Sequence, residues 1–100
     1  MIQHVVLWKL LEGANNKSKE ENFELISETL SSLPALIPQI KSLVVVKNEN
    51  PTEKNMDVAL IMSFDNLEDL DTYIIHPEHV AVGRFIRTVV CERSAIDYRI

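Results

Sequence analysis

The chain has little of what marks secreted, membrane-bound or nucleic-acid-binding proteins. Its single cysteine, Cys91, allows no intrachain disulfide, which fits a reducing compartment. Cys91 follows Thr88-Val89-Val90, where a small buried thiol is expected rather than a nucleophile, which needs an activating base. No apolar run nears the roughly 18 residues of a membrane span. The N-terminal residues lack the basic and apolar segments of a secretion signal. A soluble, cytoplasmic protein without membrane contact is therefore expected. Lysines and arginines number 10 against 15 acidic residues, for a formal charge of -5, so no nucleic-acid partner is expected. With only 2 glycines and 4 prolines the chain is not low-complexity or disordered. A glycine-rich phosphate loop, a nucleophile elbow and a paired-carboxylate signature are all missing, and no cofactor is expected.

What is present is ordinary globular composition, 46% hydrophobic and 25% charged over 100 residues, the size of one domain spanning residues 1–100. Ile2 to Leu10 reads as a strand with two faces, Ile2-His4-Val6-Trp8-Leu10 and Gln3-Val5-Leu7-Lys9. Ser18 and Glu21 have capping-box spacing. The helix they open carries Phe23, Ile26, Leu30 and Leu33 on one side until Pro34 and Pro38 stop it. Leu43-Val44-Val45-Val46 favours a buried strand. A polar loop over residues 48–55 leads to a third strand from Asp57 to Phe64, with Val58, Leu60, Met62 and Phe64 on one face. Asn66 caps a helix whose apolar face is Leu67, Leu70 and Ile74, with Tyr73 beside them. The last strand is expected from Ala95 to Ile100.

Between these lies Tyr73-Ile74-Ile75-His76-Pro77-Glu78-His79-Val80, which holds two of the three histidines. Pro77 cannot sit inside a helix, so one helix ends near Ile75 and a second begins with Pro77 in its first turn. The second helix turns His79, Val82, Gly83, Ile86 and Val90 inward and Arg84 and Arg87 outward. Tyr73 and His79 then flank a bend and can converge. His76 is expected at the surface, where a cationic imidazole suits a helix C-terminus. His76 and His79 are three apart, but Pro77 breaks the helical face that shared metal ligands need, and no metal site is expected. Asp97 is expected to pair with Arg87 or Arg84.

The order strand, helix, strand, strand, broken helix, strand predicts an α+β fold, a ferredoxin-like four-stranded antiparallel sheet with helices on one face. Helices can cover only one side of that sheet, yet Val5, Leu7, Ala59 and Ile61 make the other side apolar too. A homodimer through that second face is expected.

The chain resembles the stress-responsive α/β-barrel domain family, called Dabb for dimeric α-β barrel. The resemblance rests on Ile2-Gln3-His4-Val5-Val6-Leu7-Trp8-Lys9, the Asp57-Val58-Ala59-Leu60 strand ending in Phe64, Tyr73 with His76-Pro77-Glu78-His79, and Asp97-Tyr98. It covers nearly the whole chain. It implies a dimeric α+β barrel with a cavity between sheet and helices. The inward faces put His4, Val6, Trp8, Val58, Leu60, Val82, Gly83 and Ile86 around that cavity. Some plant relatives are polyketide cyclases working by intramolecular aldol condensation, and the residues matching their catalytic pair are Tyr73 and His79, with His4 in the pocket. This sequence has Val58 in place of a further pocket histidine and Leu30 near the place of a helix tyrosine.

Three functions are consistent with these residues. The first is a homodimer whose small apolar pocket binds a hydrophobic or aromatic small molecule. The second is a cofactor-free lyase or cyclase with His79 as general base and Tyr73 as acid or oxyanion donor. The third, by fold analogy alone, is a cofactor-independent monooxygenase. A purely structural protein would instead fill the pocket with Trp8, Phe23, Phe64 and Phe85.

Overall fold

The strand β1 (Ile2–Leu10) is the centre of the computed structural model, which describes residues 1–100. Every second side chain of β1, from Ile2 to Leu10, is buried, because one face of the sheet is roofed by helices. Around it come α1 (Lys19–Ser31), β2 (Ser42–Lys47), β3 (Val58–Phe64), α2 (Leu67–Ile75), α3 (Pro77–Arg87) and β4 (Val90–Arg99). The sheet order is β2-β3-β1-β4, with neighbouring strands antiparallel. Thus β1 and β2 run the same way with β3 between them, the split arrangement of a ferredoxin-like fold.

The helix ends follow their local chemistry. Ser18 Oγ accepts from the Glu21 N–H at 3.1 Å, and Glu21 returns a carboxylate oxygen to the Ser18 N–H at 3.0 Å. Burial of Ile26 and Leu30 then seats α1 on the sheet. Asn22 is buried beside them and donates to the Ala14 carbonyl at 3.0 Å, tying down the preceding turn. Asn66 caps α2 by accepting from the Asp69 N–H at 2.8 Å.

Four expectations change. The inward stripe of α2 is Leu70 and Tyr73; Leu67 and Ile74 are 51% and 41% exposed. Residues three apart share a side, and Ile74 lies a further 100° round from Tyr73. No valine of β2 is fully buried: Leu43 and Val45 are half-buried against the core, while alternation turns Val44 and Val46 to the side without helices, and the edge position of β2 leaves them exposed. The strand β4 starts at Val90, five residues before Ala95, since it pairs with β1 along its whole length. Its first half, Cys91-Glu92-Arg93-Ser94, lacks apolar alternation. Cys91 is consequently an exposed edge residue rather than a buried one.

The side of the sheet away from the helices carries a row of branched side chains. Val44, Ile61, Val5 and Ile96 stand opposite one another across all four strands. Ala59, Leu7 and Val46 form the next row. Ile96 is 61% exposed.

Candidate functional site

Between the sheet and the broken helix lies a cavity of about 440 Å³. The floor is His4, Val6 and Trp8 of β1 with Leu60 of β3. Leu30 of α1 closes one wall; Tyr73 of α2 and His79, Val82, Gly83, Ile86 and Arg87 of α3 form the roof. Val90 and Arg93 contribute from β4.

The break at Pro77 brings the two key rings together. The backbone at His76 is extended, and its Nδ1 accepts from the Glu78 N–H at 3.1 Å, so His76 is the N-cap of α3. His76 is at once the C-cap of α2 and the N-cap of α3, the helix-end position expected of it. The new helix direction lays His79 over Tyr73 with ring centroids 4.3 Å apart. On its other side Tyr73 packs against Phe64 at 5.3 Å, and the edge of His4 lies at 6.2 Å.

The hydrogen bonds assign the chemistry. His79 Nδ1 lies 2.8 Å from the Ile74 carbonyl. A carbonyl only accepts, so Nδ1 carries the proton and Nε2 of the neutral ring keeps a lone pair. Burial pushes the His79 pKa below its ordinary value; the Ile74 hydrogen bond opposes this, and the positive charge of Arg93 and Arg87 adds to it. His79 is therefore a neutral base at pH 7. Burial also pushes Tyr73 well above the usual phenol range, with Arg93 pulling weakly the other way. Tyr73 thus keeps its proton. Its hydroxyl has no partner within the chain, and the only enclosed side-chain polar atom without one is Asn22 Oδ1. The Tyr73 donor is therefore unengaged by the protein and lines the cavity. His4 is buried and hydrogen-bonded through Nδ1 to Asp97 Oδ1 on the neighbouring strand. Asp97 therefore orients His4 rather than pairing with Arg84 or Arg87.

Most of the expected pocket residues meet here. Val58 does not: it is buried in β3 outside the cavity lining. Val90, expected to face inward, and Leu30, at the place of the relatives' helix tyrosine, also line the cavity; Arg87, expected outward, and Arg93 line it against or outside expectation. Spacing held a signal for Arg87, because His79, Gly83 and Arg87 recur every four residues along one side of α3. Arg93 becomes legible only once β4 is extended to Val90, which places it opposite Trp8. The aromatic side chains do not fill the space: Trp8 lies in its wall and Phe64 behind Tyr73, while Phe23 and Phe85 are absent from its lining.

The family model for the stress responsive A/B barrel domain matches residues 2–100. The chain belongs to this family. Olivetolic acid cyclase of Cannabis sativa is 28% identical over 101 residues, covering 97% of this chain and 94% of that protein. Among solved structures, a dimeric ferredoxin-like protein of unknown function from Bacteroides fragilis shares 35% identity with a TM-score of 0.84, covering 99% of this chain and 95% of its own. A second dimeric ferredoxin-like protein, from Thermobifida fusca, shares 25% identity at a TM-score of 0.82, with coverage of 99% and 90%. In this stress responsive A/B barrel chain, as in those two, the fold is a ferredoxin-like antiparallel sheet with helices.

Proposed function

We propose that this stress responsive A/B barrel protein is a homodimer that binds a small, largely apolar or aromatic molecule in the cavity beneath α2 and α3. The observation that carries this reading is the unfilled space of about 440 Å³ with the Tyr73 donor and the His79 lone pair at its roof. Apolar walls with a few convergent polar groups are the ordinary form of a small-molecule site. The uncovered row Val44, Ile61, Val5 and Ile96 supports two sheets packing face to face about a two-fold axis, and the B. fragilis relative is described as dimeric.

A second reading extends the first. The protonated Nδ1 and free Nε2 of His79 suit removal of a proton beside a carbonyl, and the un-ionised Tyr73 suits donation to the enolate oxygen that forms. The similarity to olivetolic acid cyclase supports a cofactor-free lyase or cyclase of this kind.

Nitrogen-detected NMR titration of the three histidines, with and without small phenols and β-polyketones, tests both readings. A pocket ligand should move the His79 and Tyr73 resonances together. Turnover, if the second reading holds, should vanish in His79→Ala while the fold and ligand affinity persist. An unmoved His79 across the whole panel sinks the ligand site. Ligand binding without turnover leaves the first reading and removes the second.

A further inference from the structure

We propose that the cavity takes an organic anion, a molecule with an apolar body and one carboxylate, and that Arg87 and Arg93 hold the carboxylate. The proposal rests on the reading of the cavity as a ligand site and names the class of ligand.

The two arginines approach from opposite sides. Arg93 rises from β4 opposite Trp8. Arg87, in the last turn of α3, leans back along the helix: a Cβ added to Gly83 would lie 3.5 Å from its Nη1, the direction long helical side chains take. Both line the cavity and both reach solvent, which sets them at its mouth, with Tyr73 buried deeper.

Neither arginine has an anionic partner. The ion pairs of the chain join His4 to Asp97, Lys19 to Glu12 and Asp57, Lys41 to Asp65, and Lys47 to Glu20. Carboxylates are not scarce, since 15 residues are acidic and the formal charge is -5. Asp97, the carboxylate nearest along the same strand face as Arg93, is engaged by His4. A net acidic protein thus turns two unpaired guanidinium groups into an otherwise mainly apolar cavity. A neutral apolar ligand seated there would leave both guanidinium groups without an anionic partner. A carboxylate accepts two parallel N–H bonds from a guanidinium, and the low-polarity walls strengthen that contact. The positive charge also reaches the ring pair, since Arg93 and Arg87 add to the burial that keeps His79 neutral. An anion bound at the mouth would orient its apolar body toward Tyr73 and His79.

The test compares an acid with its uncharged isostere on the purified 100-residue protein. The probes are 4-ethyl-, 4-butyl- and 4-phenylbenzoate and the three matching benzamides. Affinity is read by calorimetry, and occupancy by the NMR signal of the Trp8 indole N–H in the cavity wall. At low salt the carboxylates should bind at least about tenfold tighter than the amides, as charge-assisted hydrogen bonding requires. Added salt should weaken only the carboxylates. Arg87→Gln and Arg93→Gln should each reduce the preference by about threefold or more, and the double variant should abolish it, with amide affinity unchanged. Arg93→Lys should retain part of it as a point charge. Circular dichroism and size confirm each variant's fold. Equal binding of acid and amide, both shifting Trp8, overturns the anion proposal and leaves the ligand site standing. A preference that survives in the double variant also overturns it, because the carboxylate is then held elsewhere. If no probe shifts Trp8, the ligand site itself fails and the proposal falls with it.

Discussion

His79 does two things with one ring, and they set its behaviour with pH. Its Nδ1 is committed to the Ile74 carbonyl, and burial lowers its pKa from 6.5. The unfolded chain then binds the proton more readily than the folded one. The stability contributed by the neutral ring is present above pH 6.5 and is lost as the pH falls from there through the lower folded value. Denaturation midpoints should decline on acidification across that window, and His79→Gln should flatten that part of the profile. Any base-catalysed turnover should fall in the same acid window, with a kinetic pKa below 6.5. At Tyr73, Phe should preserve the packing on Phe64 and His79. Tyr73→Phe should therefore keep the thermal midpoint nearly unchanged while lowering kcat, or ligand affinity if there is no turnover, by about tenfold for one lost donor.

At the scale of elements, the decisive local feature is the break between α2 and α3. A continuous helix would carry His79 six residues beyond Tyr73, most of two turns away. The extended backbone at His76 and its cap on Glu78 bring the two rings into tilted contact instead. The capping box of α1 offers a cleaner energetic test, because it is exposed and remote from the cavity. Ser18→Ala should cost about 1 kcal/mol, or a fall of roughly 4–8 °C in Tm for a chain of this size, with ligand binding unaltered. Urea and thermal unfolding measure it. The positions of α1, β1 and β3 were legible from caps and alternation. Two element-scale errors have a common cause. The incomplete burial of β2 and the polar start of β4 depend on which strands stand at the sheet edges, and local alternation carries no record of strand order.

Seen whole, the molecule has two apolar surfaces to satisfy and only one layer of helices. The row Val44, Ile61, Val5 and Ile96 lies on the uncovered side. Ile61→Glu should convert the proposed dimer to monomer, since a two-fold interface buries the charge twice; light scattering with size-exclusion chromatography reads the mass directly. An unchanged dimer mass would move the interface to another surface, such as that around Ile75, which is 77% exposed.

By itself the sequence determined the order of elements, the helix caps, the break at Pro77 and the pairing of Tyr73 with His79. Each depends on neighbours a few residues apart, and backbone chemistry acts at that range. Tertiary structure alone decided that Asp97 holds His4, that Val58 stays outside the cavity, that Cys91 is exposed, and that Arg93 enters the wall. Those outcomes depend on strand order, on register between residues as far apart as His4 and Asp97, and on the direction each helix takes over the sheet. Packing fixes these quantities, and packing is settled only when the chain closes on itself.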